Sequence, residues 1–199
     1  MPTYPWLDLP LPLELVNTRF ASSGEPVDGL QTPEDLDAWL QTNAAHLEAP
    51  PPRATPALLE RFRALRIALA QLLGAALDGT TPPLAAVRLV NLLSLAAPRV
   101  PLLEVHGTVY QRSMADLADT DTAALATVAR ACIELLAGAD RARLRRCGGP
   151  GCVLLFLKDP RRRAWCSDAC GNRARVARHY LRHHHASALS HPAELSHKA

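Results

Sequence analysis

Four cysteines in the last third of this 199-residue chain form two close pairs, Cys147 with Cys152 and Cys166 with Cys170. Two such pairs separated by a hairpin-length stretch are typical of a structural zinc site. Buried structural thiols would not explain the pairing. A redox-active pair of cysteines is more usually a C-x-x-C motif beside a βαβ pattern, and this sequence lacks such a pattern. Because all four ligands are cysteines, the sequence predicts one closed, structural Zn²⁺ per chain.

The stretch between and inside the pairs predicts a small β-structure. The glycines of GGPG, residues 148–151, allow the backbone to curl into a zinc knuckle. Residues 153–157 read as a strand, 158–163 as a turn and 164–166 as the returning strand. A helix follows, so knuckle, hairpin and helix predict a treble-clef-like finger over residues 141–186. Such a small module buries little core, and metal binding would supply on the order of 10 kcal/mol of its folding energy.

Ser167 is a good N-cap for the helix that contains Cys170, whose thiolate the free N–H groups of the first turn would stabilise. Trp165 is expected to pack beside the metal. Gly171 is expected to let the backbone pass close to the ion. Two further residues complete the motif. We expect Asn172 to hydrogen-bond a ligand sulfur or the knuckle, and Arg173 to balance the charge of the site or tie the finger to the body.

The chain divides into an acidic part and a basic part. Residues 1–140 hold 9 Lys/Arg and 16 Asp/Glu, whereas residues 141–199 hold 13 Lys/Arg and 3 Asp/Glu. The basic part predicts binding to a polyanion, and we favour DNA. It could instead dock on the acidic body or remain a solvated basic surface. The predicted phosphate contacts are six arginines of the turn and the helix: Arg161, Arg162, Arg163, Arg175, Arg178 and Arg182.

The body is predicted to be helical. Thr32-Pro33, Thr55-Pro56 and Thr81-Pro82 each read as an N-cap followed by a proline at the first helical position. The predicted helices cover about 33–47, 56–77, 83–97 and 122–137. Residues 100–111 alternate in hydrophobicity and predict a short β-hairpin. The expected fold is mainly α, with a helical domain over 1–140, the finger, and a flexible tail over 187–199.

Four polar residues of the body lie within otherwise apolar patterns: Asn17, Thr18, Arg66 and Asn91. They could line a small-molecule pocket, which would make the body a sensor. Alternatively, they could form a buried hydrogen-bond network that fixes the N-terminal segment on the helices, since buried polar groups need partners. The sequence favours the network. Asn91 shares its predicted helical stripe with Leu84, Val87 and Leu95.

Several classes of protein are disfavoured. There is no Gly-rich phosphate loop, no convincing nucleophile with a base, and no open metal site, so we expect no enzyme. The longest apolar runs are shorter than the roughly 20 residues that a membrane span needs. The N-terminal stretch has no basic region and carries Asp8 and Glu14, so we expect no signal peptide and a cytoplasmic location.

CGNR at 170–173, after WCS at 165–167, resembles the CGNR zinc finger of bacterial proteins. LELVNTR at 13–19 resembles the LDFVNT element that opens the ABATE domain, which precedes this finger in that family. The resemblance covers nearly the whole chain and implies a stress-induced transcription regulator with the four cysteines as zinc ligands. The chain departs from the family at Ala164, where an arginine is common, and at Lys158, where an aspartate is.

These observations predict a DNA-binding transcription regulator whose body could sense a small molecule. A homodimer is also expected, because many DNA readers pair two half-sites. The alternative is a zinc-stabilised protein–protein adaptor that does not bind DNA directly.

Overall fold

The computed structural model describes residues 4–22, 24–158 and 165–189. Helices dominate it, with 54% helical content, which confirms the mainly α prediction. The α-helices of the described part are α1 (Leu11–Val16), α2 (Pro33–Thr42), α3 (Pro56–Asp78), α4 (Leu84–Ala96), α5 (Thr120–Ala137) and α6 (Asp168–Leu189). The strands are β1 (Arg19–Ser22), β2 (Glu25–Asp28), β3 (Arg99–His106), β4 (Val109–Asp116), β5 (Leu144–Arg146) and β6 (Leu155–Leu157).

Two of the three predicted Thr-Pro helix starts are confirmed. The Thr32 hydroxyl accepts a hydrogen bond from the Asp35 amide in a complete capping box, and the Thr55 hydroxyl accepts one from the Leu58 amide at the start of α3. The third was wrong, because α4 begins at Leu84 and Pro83 is its N-cap. Pro82 precedes another proline, which disfavours the helical conformation at Pro82.

Helix α3 lies at the centre of the main core. Ten of its residues are buried, and the Phe62 ring packs against Trp39 of α2 with ring centroids 5.7 Å apart. Helix α5 contributes Leu125, Val128 and Cys132 to the same core. Cys132 is a free, fully buried thiol away from the other four cysteines, as expected for a small apolar core residue.

The predicted buried stripe of α4 was wrong. Leu84 and Leu95 are 61% and 75% exposed, and Asn91 is also exposed. The helix instead buries Ala86 and Val90 against the core. Because α4 is apolar around most of its circumference, its periodicity identifies a helix but not the face that packs.

The β-structure consists of separate antiparallel hairpins. Strands β3 and β4 form the predicted hairpin, which is longer than expected, with eight residues in each strand. Gly107 turns it with a φ of 64°, a conformation that favours glycine. The β1–β2 hairpin and helix α1 were not predicted. No helix among the described residues is long and apolar enough to span a membrane.

The finger packs on the helical body through a second apolar cluster. Leu13 of α1, Leu73 of α3 and Leu135 of α5 are buried there against Leu144 and Leu155 of strands β5 and β6. Helix α6 continues to Leu189, into the predicted tail 187–199, and residues 190–199 lie outside the described part.

Candidate metal centre

Four segments of the chain bring the cysteine sulfurs together. Cys147 follows β5, Cys152 precedes β6, Cys166 lies just before α6, and Cys170 lies in its first turn. Their Sγ atoms all lie within 4.8 Å of one another. The Sγ of Cys166 is 3.7 Å from that of Cys152 and 3.4 Å from that of Cys170. Tetrahedral Zn²⁺ with bonds of about 2.3 Å would separate its sulfurs by about 3.8 Å, so the cluster fits such an ion.

The knuckle between Cys147 and Cys152 is held by backbone hydrogen bonds. The Cys147 amide donates to the Leu154 carbonyl at 2.9 Å, and the Cys152 amide donates to the Gly149 carbonyl at 3.0 Å. Gly149 lies against the sulfurs. A Cβ atom there would be 3.0 Å from the Cys170 Cβ and 3.5 Å from the Cys147 Sγ. The sequence indicated only that the glycines of GGPG let the backbone curl. It did not indicate that residue 149 in particular must be a glycine.

The strand pairing of the finger differs from the prediction. Strand β6 pairs with β5, with Leu144 opposite Leu157 and Arg146 opposite Leu155, so the hairpin encloses the knuckle. Residues 165–167 form a bend and not a returning strand, while residues 159–164 lie outside the described part. A short strand before the first cysteine carried no clear signal, because three residues are too few to show alternation.

The start of α6 is capped as predicted. The Ser167 hydroxyl accepts a hydrogen bond from the Cys170 amide at 3.3 Å, and the Ser167 carbonyl accepts one from the Gly171 amide. This geometry fixes Cys170 at a helix N-terminus, where free N–H groups and the helix dipole favour a thiolate.

Three of the four clustered thiols have pKa values shifted by their surroundings. Burial raises the pKa of Cys152 to about 11 and raises the pKa of Cys166 further. Burial also acts to raise the pKa of Cys170, but hydrogen bonds from Cys166 and Ser167 outweigh it and bring that pKa below its ordinary value. Among these three thiols, the protein therefore favours ionisation of Cys170. A bound dication would favour the thiolate form of its sulfur ligands, which is the behaviour of a metal site.

The structure brings Arg173 to the site but not Asn172. The Arg173 Nη2 donates to the Cys170 Sγ at 3.0 Å, which places a positive charge beside the thiolate. Asn172 is exposed and, within the described residues, makes no hydrogen bond to a ligand sulfur or to the knuckle. The expectation for Asn172 was therefore wrong, because its side chain lies in solvent.

Trp165 packs against the cysteine cluster, next to Gly171. A Cβ atom at Gly171 would lie 3.2 Å from the Trp165 Cε3, so the glycine makes room for this ring and not for the ion, which corrects the expectation. The Arg178 guanidinium carbon lies 5.9 Å from the centroid of the Trp165 ring, within cation–π range. The ring thus connects the metal site to the basic helix.

Arg175, Arg178 and Arg182 are exposed on α6. With Val176 and His179 they line a depression of about 430 Å³. The Nε atoms of Arg178 and Arg182 donate to the carbonyls of Ala174 and Arg178, so both side chains lie along the helix. Arg161, Arg162 and Arg163 lie outside the described residues.

The polar residues of the body divide into a buried set and one exposed residue. Asn17 bonds to the backbone of Leu155, and Arg66 donates to the Thr18 hydroxyl at 2.8 Å. The Arg66 guanidinium also forms two 2.6 Å bonds to the carboxylate of Asp28. Asn91 is exposed on α4 and does not join this network, so grouping it with the other three was wrong. Asp28 was missed, because β2 was not recognised as a strand.

Comparison with known families agrees with the order of the two parts. The ABATE family model, described as "Putative stress-induced transcription regulator", matches residues 9–139. The CGNR zinc finger model matches residues 143–183, which contain all four clustered cysteines. No curated protein matches the chain. Since the first model alone covers more than half of the sequence, the chain belongs to the ABATE family and carries a CGNR zinc finger.

Proposed function

We propose that this protein is a DNA-binding transcription regulator whose finger holds one structural Zn²⁺ per chain. The observation that carries the proposal is the basic surface of α6, where Arg175, Arg178 and Arg182 are exposed on a helix whose first turn contains a cluster cysteine. Guanidinium groups bind phosphate oxygens strongly and supply most of the salt-dependent affinity for DNA. The reduced thiols suit a reducing compartment, and we place the protein in the cytoplasm.

The four cysteines are the residues that would hold the metal. Bound Zn²⁺ would neutralise thiolate charge and cross-link the knuckle to the start of α6. The chain's own contacts then orient the helix: Ser167 caps it, and Arg173 donates to Cys170. The three arginines span about 10 Å along the helix axis, because each residue advances it by 1.5 Å, and this length reaches more than one phosphate.

The test has a metal arm and a DNA arm. Protein purified without chelator should contain one zinc per chain by elemental analysis, and Cys170→Ala should lose it. Cys132→Ala is the matched control, because Cys132 is a buried thiol outside the cluster and should leave the zinc content unchanged. Retention of full zinc by Cys170→Ala would contradict the assigned ligand set.

In the DNA arm, binding to duplex DNA is measured by fluorescence anisotropy over a series of salt concentrations. We expect a steep log–log slope, which the double variant Arg175→Gln/Arg182→Gln should reduce by about 1 for each phosphate that it no longer neutralises. Arg178 is kept because it also packs on Trp165. The control is Arg53→Gln/Arg61→Gln, which removes the same charge from exposed positions of the body. Equal slopes for both double variants would contradict DNA contact through α6.

A protein–protein adaptor is the second candidate, and exposed apolar residues on α6 favour it. Val176, Tyr180 and Leu181 are 59%, 64% and 61% exposed. A surface of this kind can receive another protein. An adaptor would retain its zinc but would show no salt-dependent binding to duplex DNA, so the same titration separates the two functions.

The proposal does not include a small-molecule effector. Arg66 bonds to Thr18 and to Asp28, Asn17 bonds to the backbone of Leu155, and Asn91 lies elsewhere on the surface. The three buried residues therefore support a structural network, which Asn91 does not join.

A further inference from the structure

We propose that the β3–β4 hairpin, called here the apolar arm, and the exposed side of α4 form a homodimer interface. Exposed large apolar side chains are concentrated there, with nine of the sixteen found in the described part of the chain lying within residues 84–117. A monomeric soluble protein rarely exposes a large contiguous apolar patch, so this concentration indicates an interaction surface. The inference concerns the body and goes beyond DNA binding by the finger.

The arm is exposed on both faces. Every residue from Pro101 to Arg112 is exposed. Strand pairing sets Val105 opposite Tyr110 and Leu103 opposite Arg112 on one face. On that face Leu103, Val105 and Tyr110 are 70%, 54% and 73% exposed. An isolated two-stranded hairpin is only marginally stable in water, so strands of eight residues need a covering partner.

Helix α4, which directly precedes the arm in the sequence, also exposes apolar side chains. Leu84, Leu92 and Leu95 are 61%, 65% and 75% exposed, and they follow the spacing of one helical stripe, which Arg88 interrupts. Only Ala97 and Pro98 separate α4 from β3. The helix and the arm are therefore direct neighbours in the sequence.

The size of the surface fits a dimer. The exposed apolar side chains of α4 and of the Leu103 face of the arm present on the order of 700 Å² of apolar area, close to the about 800 Å² per partner in a standard interface. They are Leu84, Leu92, Leu95, Leu103, Val105 and Tyr110. Residues 84–117 are also nearly neutral, with three arginines and two acidic residues, so two copies would not repel each other there. A second copy is the occupant we infer, because one twofold axis covers two identical arms at once.

The test is sedimentation equilibrium of the full-length, zinc-loaded protein without DNA, over a range of concentrations. We expect a mass twice the 21.5 kDa of the chain. Tyr110→Glu should raise the dissociation constant at least about 30-fold, as expected for a hot-spot aromatic residue. Gln111→Glu is the matched control, because it adds the same charge at the next residue, on the opposite face of the arm.

A second variant guards against misfolding of the arm. Leu92→Glu lies on α4, which packs on α3 and α5, and it should also dissociate the dimer while the far-UV circular dichroism stays that of the wild type. A wild type that sediments as a monomer at every concentration overturns the inference and assigns the surface to a different protein. A dimer that survives both Tyr110→Glu and Leu92→Glu, or that Gln111→Glu weakens equally, overturns it as well. Because DNA is absent, none of these results depends on the proposed function.

Discussion

The side-chain amide of Asn17 and the backbone of Leu155 bond to each other in both directions. The Asn17 Nδ2 donates to the Leu155 carbonyl at 2.9 Å, and the Leu155 amide donates to the Asn17 Oδ1 at 2.9 Å. Both residues are buried, and they lie 138 positions apart in the chain. One amide side chain thus satisfies both backbone groups of Leu155, as a second neighbouring strand would, and joins the helical body to the finger.

Replacement of Asn17 should destabilise the whole protein. Asn17→Ala leaves the N–H and the carbonyl of Leu155 buried without partners, and each unsatisfied group costs about 1–3 kcal/mol. We expect the free energy of unfolding in urea, followed by far-UV circular dichroism, to fall by about 2–4 kcal/mol. Asn91→Ala is the control. Asn91 is exposed, so the change should stay within about 0.5 kcal/mol, and an equal effect of both variants would refute the role of Asn17.

The Arg66–Asp28 pair should make stability depend on acid. Burial acts to raise the pKa of Asp28, but hydrogen bonds from Arg66 and from the Leu30 amide outweigh it and bring the pKa below its ordinary value of 3.8. Because the folded pKa is the lower one, the carboxylate stabilises the fold above pH 3.8. This stabilisation is lost as the pH falls through the folded value.

Asp28→Asn should therefore flatten the loss of stability in the acid range, measured as the free energy of unfolding in urea at a series of pH values. Arg66→Met should flatten it too, and at neutral pH it should cost about 3–5 kcal/mol, because it removes the buried cation of Asp28 and leaves the exposed Arg19 at 3.4 Å. A profile for Asp28→Asn that runs parallel to the wild type would show that another carboxylate governs acid unfolding.

Two neighbouring glycines of the knuckle should respond differently to substitution. At Gly149 a Cβ atom would press on Cys170, at 3.0 Å from its Cβ and 3.4 Å from its Sγ, whereas at Gly148 it would meet nothing within 4 Å. Gly149→Ala should weaken zinc binding about tenfold or more, because it shifts a ligand. Gly148→Ala should not. Competition with a chromophoric zinc chelator measures both, and equal affinities would argue against close packing of the knuckle on the sulfurs.

Arg173 and Asn172 provide a second matched pair. Arg173→Ala removes the donor to the Cys170 Sγ and should lower zinc affinity by about 10–100-fold, the usual effect of losing a group that supports a ligand. Asn172→Ala removes an exposed side chain and should leave the affinity unchanged. Arg173→Lys should recover part of the loss if charge is the main contribution. An Arg173→Ala protein with wild-type affinity would make this residue irrelevant to the metal.

Local signals predicted the elements that depend on neighbouring residues. The hydroxyls of Thr32 and Thr55 cap helices because capping involves only the next three residues. The cysteine spacing likewise predicted the cluster, since its two close pairs are local. Thr81 failed as a cap for an equally local reason, because Pro83 restricts the backbone of Pro82.

Relationships between distant segments were not predictable from the sequence in the same way. Which side of α4 packs depends on the shapes of α3 and α5, so Leu84 and Leu95 were expected in the core and lie in solvent. The pairing of β6 with β5 and the ion pair of Arg66 with Asp28 both need a partner segment to be positioned first. Short strands such as β2 carry too few residues for alternation to identify them.

The core shared by Leu13, Leu73, Leu135, Leu144 and Leu155 limits how this chain can change by recombination. Two family models divide it near residue 140, but a crossover there would separate β6 from Asn17 and the finger from the leucines that cover it. The transferred finger would bring its metal ligands with it and would still lack a surface to fold against. Inheritance of this finger should therefore follow inheritance of helix α1, although the two lie far apart in the sequence.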